Sequence, residues 1–511
     1  ARGPTPAEVV EVLGHKPLGI HSLIALENHA IPTDFSSAAL QDTEQLKPFT
    51  AADIAKREDL RAVPIITIDG ADARDFDDAV WAEATEEGYH IIVAIADVAH
   101  YVRAGSALDE EAFQRGNSVY FPDRVVPMLP EKLSNDLCSL RPREDRPVLA
   151  VHMYINRQGK LVEYRFCRAV IHSHARLTYD QAQHALDGQP DEMTAPLMES
   201  TLEPLFAAYQ ALLKARDKRG AFDLDIPEPY LHLNDDGSVA RLGVRDRKDS
   251  HKLIEELMIL ANVAAAQALE KTRTAGLYRV HDTPGKEKLQ ILKALLKQHS
   301  LSFTGAAQPK PHDFQTLADN ARAHEASDLL QRAILQSQMQ ARYDPENIGH
   351  FGLALQQYAH FTSPIRRYAD LVVHRALIAA LKLAGEGELK VEAPVLKRMA
   401  DHINITERRA QQAEWEARDR LITAFYTQHV GETFRGRVQN ILKFGCFVQV
   451  AGIAEGLLPL RNMTDDHYIY DPRALTLRGK RNKRVLKIGD TIKIRLTEAD
   501  LASGKLTFGV G

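Results

Sequence analysis

Four aspartates that follow a short apolar run give the sequence its strongest chemical signal. They are Asp69, Asp75, Asp77 and Asp78, and the run before them, residues 65–68, has the β-branched composition of a buried strand. Carboxylates crowded at one strand end repel one another unless a cation neutralises them. Aspartate oxygens without neighbouring Cys or His favour a hard ion, Mg²⁺ or Mn²⁺. Because two such ions about 3.5–4 Å apart promote in-line attack on a phosphodiester, the cluster predicts a metal site for phosphate chemistry.

Two other interpretations of the acidic cluster compete with this one. An acidic loop is most often a solvated turn or a set of helix caps, but Asp69 directly follows an apolar strand, where a free carboxylate is poorly solvated. A calcium-binding loop fails on spacing, because Ala71 and Ala73 occupy its third and fifth positions and Val80 its twelfth. The residues alone therefore predict a hard-metal site suited to phosphate chemistry and nothing more specific.

A pair of arginines forms the second candidate group. Ser363 followed by Pro364 predicts the start of a helix, with the serine as its cap. Arg366 and Arg367 then fall in the first turn, where free backbone N–H groups favour an anion and an arginine can grip a phosphate with two hydrogen bonds. The alternative is a structural ion pair with Asp370. Because an arginine at a helix start opposes the helix dipole unless an anion is near, we favour phosphate.

Two aromatic side chains are candidates for stacking on a base. Tyr120 precedes a turn at Pro122, and stacking on its ring would be worth roughly 1–3 kcal/mol. The alternative is a core tyrosine whose hydroxyl is satisfied. Phe222, Leu224 and Ile226 alternate with acidic residues, which predicts one face of a strand, and core packing is the more common role of such a face.

The last part of the chain has a different character from the rest. Residues 431–511 alternate short strand-like runs with glycine turns, which predicts a small β-barrel. The chain has a net charge of −5, yet this segment carries six more basic than acidic residues. Candidate stacking residues within it are Phe444, Phe447 and His467. A basic surface with aromatic side chains is typical of a module that binds single-stranded nucleic acid.

The elements that must position these residues predict an α+β fold. Strand-like runs occur at 65–68, 90–95, 148–155 and 162–171, before most of the helical periodicity. Helical patterns follow at 179–186, 198–214, 253–272, 286–298, 327–342 and 395–429. We therefore expect a lone strand within 1–14, a connector at 15–55, a large domain at 56–430 and the barrel at 431–511. Three scattered cysteines and the lack of a bilayer-length apolar stretch predict a cytoplasmic protein that does not enter a membrane.

Taken together, the motifs resemble those of the RNase II/RNase R (RNB) exoribonuclease family, closest to its RNase R branch. The first match is T-I-D-G-A-D-A-R-D-F-D-D-A at 67–79. The others are V-Y-F-P at 119–122, L-S-N-D-L-C-S-L at 133–140, S-H-A-R-L-T-Y at 173–179 and H-F-T-S-P-I-R-R-Y at 360–368. The barrel is similar to the S1-type OB fold that follows the catalytic RNB domain in this family, and residues 7–14 resemble the last strand of a cold-shock domain. On this basis we expect most of the N-terminal cold-shock region to be missing from the chain.

The resemblance implies a processive Mg²⁺-dependent enzyme, with Mn²⁺ as the other candidate ion. It would hydrolyse single-stranded RNA, or RNA with a 3′ overhang, from the 3′ end to nucleoside 5′-monophosphates by two-metal chemistry, and we expect it to act as a monomer. The four aspartates take the metal positions, with Asp77 indispensable. Arg366 takes the scissile-phosphate position, with Arg367 beside it. An inactive RNA-binding protein of the same fold and a metal-dependent deoxyribonuclease are the alternatives.

The resemblance also bears on the base clamp. Tyr120 takes the position of one clamping aromatic residue. The second aromatic position aligns with Leu224 and not with Phe222, so the other side of the clamp is unassigned. Glu414 matches a further acidic residue of the family.

Overall fold

The computed structural model describes residues 19–511 except 227, 304, 306, 307, 384–390 and 473. The strand expected at 7–14 lies outside the described residues. The helices are α1 Ile20–Asn28, α2 Ser37–Gln45, α3 Ala51–Ile54, α4 Val98–Tyr101, α5 Ala107–Arg115, α6 Tyr179–Leu186, α7 Glu203–Arg219, α8 Asp249–Lys271, α9 Lys286–Gln298, α10 Pro311–Arg322, α11 Ser327–Ser337, α12 Tyr368–Ala380 and α13 Ala393–Tyr426.

The strands divide between a large sheet, several short hairpins and a C-terminal barrel. The strands before the barrel are β1 Glu58–Asp59, β2 Ile66–Asp69, β3 Asp78–Ala84, β4 Gly88–Ala96, β5 Val119–Tyr120, β6 Val125–Val126, β7 Asp145–Asn156, β8 Leu161–His172, β9 Ala175–Thr178, β10 Glu228–Leu233, β11 Val239–Arg245, β12 Tyr278–Val280 and β13 Arg342–Asp344. Those of the C-terminal part are β14 Thr433–Leu442, β15 Gly445–Val450, β16 Ala454–Pro459, β17 Tyr468–Asp471, β18 Thr476–Gly479, β19 Val485–Leu486, β20 Thr491–Asp500 and β21 Lys505–Val510.

The large sheet has seven strands in the order β1-β8-β7-β4-β3-β2-β9. Strands β4, β7 and β8 are rich in Val and Ile; β4 and β7 are buried over most of their length and β8 over its second half, as expected of strands covered on a core face. Helices α7 and α8 pack against the sheet, and α12 packs against α8. The middle of α8 is Ala-rich and buried, which allows the helix to approach the sheet closely.

The C-terminal part is a closed five-stranded barrel in the order β14-β15-β16-β21-β20. Buried and half-buried positions alternate along β15 because one face of the strand fills the barrel core. The core continues into the end of α13 through Leu421, Ile422 and Tyr426. Arg420 fixes the junction, since its Nη1 donates to the carbonyl oxygens of Leu501 and Ala502 at 3.1 and 3.0 Å.

The structure confirms the α+β class and the C-terminal barrel, and it corrects several boundaries. Helices α6 and α9 have the predicted bounds. The helix expected at 198–214 is shifted to Glu203–Arg219, behind a π-helical turn at Met198–Leu202. The helix expected to reach residue 342 ends at Ser337, because residues 342–344 pair with β12 instead. None of the described helices is long and apolar enough to cross a bilayer.

The strand expected around Phe222 is absent. Residues 221–226 are irregular, and β10 begins only at residue 228. Phe222 and Leu224 nevertheless pack against one apolar cluster, the one built around Phe314. The alternation of apolar and acidic residues therefore correctly predicted that Phe222 and Leu224 are packed away from solvent. It did not predict the backbone, because the segment is irregular and pairs with no strand.

Candidate active site

The acidic loop connects two neighbouring strands of the large sheet. β2 ends at Asp69 and β3 begins at Asp78, and Ile66 lies opposite Val80 in the antiparallel pair. The loop that carries Asp75 and the residues around it is therefore held at both ends by the sheet. This explains why acids eight or nine positions apart in the sequence meet at one strand end.

Two side chains from other parts of the chain fix the path of this loop. Ser139 Oγ donates to the carbonyl oxygen of Arg74 at 2.6 Å and accepts from the backbone N–H of Phe76 at 3.1 Å. Arg176 Nη2 donates to the carbonyl oxygen of Gly70 at 2.5 Å. Both residues belong to sequence motifs that the resemblance identified without giving them a role. The geometry assigns them the support of the acidic loop.

The arginine segment is held by backbone pairing with the chain before β5. The N–H of Tyr368 donates to the carbonyl oxygen of Gly116 at 2.9 Å, and the N–H of Ser118 donates to that of Arg366 at 3.0 Å. Gly116 has a φ of +72°, and a Cβ at this position would lie 2.0 Å from Thr406 Oγ1. Both its conformation and its surroundings therefore require glycine.

The helix predicted to begin at Pro364 begins at Tyr368, so that prediction was wrong. Residues before it form a turn in which the N–H groups of Arg366 and Arg367 donate to the carbonyl oxygen of Ser363 at 3.3 and 3.0 Å. Arg367 is extended, with φ −136° and ψ 120°. The backbone pairing just described holds the arginines out of the helix, which a local cap signal cannot reveal.

The four aspartates, Tyr120 and both arginines line one open pocket of about 610 Å³. The opposite wall is a face of α8 formed by Ile254, Glu255, Met258, Ile259 and Asn262. The fold thus brings together the acidic, basic and aromatic residues that the sequence singled out in three separate segments.

Asp77 is the most enclosed of the four acids, with 4% of its surface exposed. Its Oδ1 accepts a hydrogen bond from the backbone N–H of Ile365 at 2.9 Å. Its Oδ2 is buried and has no hydrogen-bond partner, although Arg366 Nε lies 3.8 Å away. A buried carboxylate oxygen in this state is costly unless a cation binds it.

The electrostatics of the pocket favour protonated acids as long as no cation is bound. Burial raises the pKa of Asp77 well above its ordinary range. Burial, and then the neighbouring charge of Asp69, raises the pKa of Asp78 to about 7. Burial also raises the pKa of Asp69, and Arg366 opposes the rise of the pKa at all three positions. A divalent cation would reverse this balance, because it stabilises the ionised carboxylates.

The donor set fits a hard divalent cation. All four acids offer carboxylate oxygens, and the oxygen of Asp77 without a partner is the kind of group that such an ion satisfies. Among the described residues, no three of these acids place oxygen atoms all within 4.8 Å of one another. The carboxylates therefore surround an open space instead of a closed single-ion cage.

The two arginines have different surroundings. Arg367 Nε and Nη2 donate to the two carboxylate oxygens of Asp370 at 2.8 and 2.7 Å. Arg366 keeps 42% of its side chain exposed, and its Nη2 donates to Ser363 Oγ at 3.0 Å. The structural ion pair weighed against phosphate binding is thus present for Arg367, while Arg366 presents its guanidinium to the pocket.

Tyr120 lies at the rim of the pocket with 38% of its surface exposed. Its hydroxyl donates to Asp75 Oδ2 at 3.1 Å. Glu414 Oε1, from α13, accepts the backbone N–H of Tyr120 at 2.8 Å. Tyr120 is therefore held at its backbone and at its hydroxyl, yet it stays more than a third exposed, whereas a core tyrosine would be buried.

The remaining predicted binding residues lie outside this pocket. Phe222 packs on Phe314, with ring centroids 5.6 Å apart, and does not line the pocket. In the barrel, Phe444 is 48% exposed in the turn before β15, Phe447 is half-buried on β15, and His467 is exposed just before β17. The structure therefore leaves the second side of the base clamp unassigned, while the three barrel side chains remain at least partly accessible.

Sequence reasoning missed the role of α8 in the pocket. Asn262 is buried, its Nδ2 donates to the Tyr358 hydroxyl at 3.2 Å, and its Oδ1 accepts the N–H of Phe361 at 2.7 Å. It thereby fixes the start of the segment that carries the arginines. An amide within an otherwise apolar helical run was the signal available in the sequence.

Comparison with known proteins gives family matches for both the large domain and the barrel. The RNB domain family matches residues 57–383, and the S1 RNA binding domain family matches residues 427–511. Ribonuclease R of Vibrio parahaemolyticus is 40% identical over 516 residues, which cover 98% of this chain and 62% of that protein. The chain thus spans less than two thirds of the length of this relative.

Two solved structures have the same fold. Mycoplasma genitalium RNase R in complex with ribose methylated single-stranded RNA superposes with a TM-score of 0.91 at 28% identity, covering 96% of this chain and 78% of that one. The same protein in complex with double-stranded RNA gives a TM-score of 0.85 at 27% identity, covering 96% and 83%.

Proposed function

The chain belongs to the RNB exoribonuclease family in its RNase R-like form, and from that premise we propose that it hydrolyses RNA from the 3′ end to nucleoside 5′-monophosphates. Single-stranded RNA, or RNA with a single-stranded 3′ overhang, is the proposed substrate. The likeness to RNase R structures with single- and double-stranded RNA supports an RNA substrate. The barrel, with its basic and aromatic surface, would hold the strand outside the pocket.

The observation that carries this proposal is the surroundings of Asp77. A buried carboxylate oxygen without a hydrogen bond lies 3.8 Å from the guanidinium of Arg366, which is itself partly free to bind a further anion. A site with an unsatisfied anionic ligand beside a cation suits a phosphodiester that arrives together with divalent cations. A passive RNA-binding groove would have no use for a buried acid in this state.

Each side chain then has a defined task. Asp69, Asp75, Asp77 and Asp78 would hold the metal. Arg366 would stabilise the negative charge that develops on the phosphate oxygens. Arg367 acts indirectly, because its ion pair with Asp370 braces the turn that carries Arg366. The ring of Tyr120 would stack on a base near the 3′ end, oriented by Asp75 and Glu414.

RNB-family exonucleases are metal-dependent, and we propose Mg²⁺ as the ion, with Mn²⁺ as a substitute. Divalent cations in such a site lower the pKa of bound water and neutralise charge at the attacked phosphate. The carboxylate oxygens of the four aspartates support a hard ion over zinc.

Two further properties belong to the proposal. We propose that the chain acts as a monomer. We infer a cytoplasmic location, because the three cysteines are free and buried, as expected in a reducing compartment.

The decisive experiment replaces Asp77 by asparagine in the full chain. The amide oxygen of Asp77→Asn can still accept from the N–H of Ile365, so the fold should persist while the charge is lost. We expect turnover of a 5′-labelled oligoribonucleotide with Mg²⁺ to fall by about 10³-fold or more, while RNA binding stays within a few-fold of the original chain.

The matched control is Asp136→Asn, which removes an acid that pairs with Arg141 on the surface and does not line the pocket. It should retain turnover, and EDTA should abolish the activity of the original chain. Retained cleavage in Asp77→Asn would contradict the assignment. Binding without any cleavage by the original chain would favour the inactive RNA-binding alternative, and equal degradation of a matched DNA oligomer would favour a deoxyribonuclease.

A further inference from the structure

A second group of metal-ligating side chains lies on the large sheet, apart from the acidic pocket. Glu58 comes from β1, His152 from β7 and Cys167 from β8. One carboxylate oxygen, one ring nitrogen and the sulfur lie within 4.8 Å of one another. None of these three residues lines the acidic pocket.

The strand register explains why the three meet. Ala150 lies opposite Cys167 and His152 opposite Arg165 in the β7–β8 pair, so His152 and Cys167 project from the same sheet face. Glu58 lies opposite Ala169 in the parallel β1–β8 pair, and Ala169 is two residues along the strand from Cys167. The sheet therefore holds the group in place without any contribution from flexible loops.

The spacing of the three donor atoms is suited to binding one metal ion. His152 is buried, with 6% of its surface exposed, and its Nε2 has no hydrogen-bond partner. Glu58 Oε1 lies 3.3 Å from this nitrogen. Two donors each about 2.0–2.1 Å from a tetrahedral zinc ion are separated by roughly 3.3 Å. The gap between the two atoms therefore equals the spacing of two zinc ligands.

The other side of the histidine ring is already oriented. His152 Nδ1 lies 3.1 Å from His90 Nε2, and His90 Nδ1 lies 2.9 Å from Glu83 Oε1. Metal-binding histidines are usually fixed through their second nitrogen in this way.

We propose that Glu58, His152 and Cys167 form a zinc site. A thiolate, an imidazole and a carboxylate are a donor set that suits zinc and excludes magnesium. Three protein ligands leave the fourth tetrahedral position to water. On binding, the Cys167 sulfur forms a bond to the metal and its proton leaves to solvent.

One competitor must yield to the ion. Arg165 Nη1 and Nη2 donate to the two oxygens of Glu58 at 2.7 and 3.0 Å. The arginine side chain is 53% exposed, so it can turn toward solvent or keep the oxygen that the ion does not use. The side chain of Glu58 is 34% exposed, which gives a metal ion access from solution.

Zinc at this place would tie the sheet edge together. β1 is only two residues long, and a metal bound to Glu58 would link it to two long neighbouring strands. The ion would therefore stabilise the junction between the chain before residue 58 and the sheet, without taking part in the chemistry of the acidic pocket.

The test uses Co²⁺ as a spectroscopic substitute for Zn²⁺ in the metal-free full chain. We expect the near-ultraviolet charge-transfer absorption of a cobalt–thiolate bond, saturating at one equivalent and disappearing on addition of Zn²⁺. One equivalent of Zn²⁺ should also raise the Tm. Cys167→Ser should lose both effects, whereas Cys446→Ser, which changes a buried cysteine of the barrel, should keep the band.

His152→Gln keeps the thiol and removes the nitrogen ligand, and it should weaken cobalt binding by about 100-fold or more. Circular dichroism of each variant checks that the fold is retained. The absence of a thiolate band in the original chain would overturn the proposal, and so would a band that survives in Cys167→Ser. Because no cysteine lines the acidic pocket, a cobalt–thiolate band cannot arise there, and none of these outcomes depends on the proposed ribonuclease activity.

Discussion

At the scale of single residues, the pocket contains aspartates whose burial disfavours their ionised form. Burial raises the pKa values of Asp69, Asp77 and Asp78, and one oxygen of Asp77 has no hydrogen bond. Stability alone would not select such an arrangement, since a buried acid without a partner destabilises the fold. Bound divalent cations would offset this destabilisation, because a cation replaces the solvation that the carboxylates lose on burial.

The first prediction concerns the pH dependence of metal binding. Burial raises the pKa of Asp78 to about 7, so this acid carries a proton at pH 6 that a cation must displace. The affinity for Mg²⁺ should therefore rise with pH, by about fivefold between pH 6 and pH 7 from Asp78 alone, and level off above the raised pKa values. Titration calorimetry with Mg²⁺ at pH 6, 7 and 8 measures this directly.

The same shift fixes the sign of the stability change in the metal-free protein. The folded chain holds the Asp78 proton between pH 4 and pH 7, whereas the unfolded chain has released it. The free energy of unfolding should therefore fall over this range as pH rises. A Mg²⁺ affinity that stays constant from pH 6 to 8 would show that Asp78 does not carry the raised pKa.

At the scale of elements, the turn before α12 matters more than the helix itself. Asp370 lies in the first turn of α12 and is fully buried. One of its oxygens accepts from the N–H of Ser363 at 2.8 Å, and both bind Arg367. This single acid therefore holds both ends of the turn that presents Arg366 to the pocket.

The second prediction follows from that geometry. Asp370→Asn leaves the guanidinium of Arg367 without its counter-charge in a largely buried place, which should lower the free energy of unfolding by about 3 kcal/mol. Turnover should fall more than RNA affinity, because Arg366 loses its fixed position. Urea denaturation and single-turnover kinetics measure the two effects.

An exposed pair with the same spacing of three residues serves as the control. Asp319 and Arg322 are 2.9 Å apart on the surface of α10, with more than 40% of each side chain exposed. Asp319→Asn should change the free energy of unfolding by less than about 1 kcal/mol. Equal effects of the two substitutions would argue against a special role of Asp370.

At the scale of the whole molecule, charge and shape divide the chain into two parts. Residues 431–511 carry six more basic than acidic residues, while the whole chain has a net charge of −5. α13, with 34 residues and a length of about 51 Å, contacts α1 as well as three strands of the barrel. An acidic body attached to a basic barrel would draw a polyanion to the barrel first.

The third prediction tests this division through salt dependence. The double variant R478Q/K480Q removes two exposed positive charges from the barrel region. The slope of log affinity for single-stranded RNA against log salt concentration should become shallower by roughly 0.7 for each phosphate that the variant no longer neutralises. Turnover at saturating RNA should change little, because neither residue lines the acidic pocket.

Lys286→Gln, at the exposed start of α9, removes one positive charge outside the barrel and serves as the control for each single charge removed there. It should leave the slope unchanged. If it reduces the slope as much as a barrel substitution does, RNA binding is not concentrated on the barrel.

The sequence alone predicted the fold class, the barrel and the acidic, basic and aromatic residues that line the pocket. It could do so because these features are local: strand and helix periods, a run of acids after an apolar strand, and short motifs read directly from neighbouring residues. The bounds of α6 and α9 followed from helical periodicity for the same reason.

Only the tertiary structure decided how those residues are used. Pro364 carried a helix-start signal, but pairing of the arginine segment with Gly116 and Ser118 delays the helix to Tyr368. The two arginines look equivalent in sequence, yet a buried Asp370 engages Arg367 and leaves Arg366 to the pocket. Long-range contacts of this kind depend on which strands become neighbours in the sheet. Local sequence patterns do not predict that strand order.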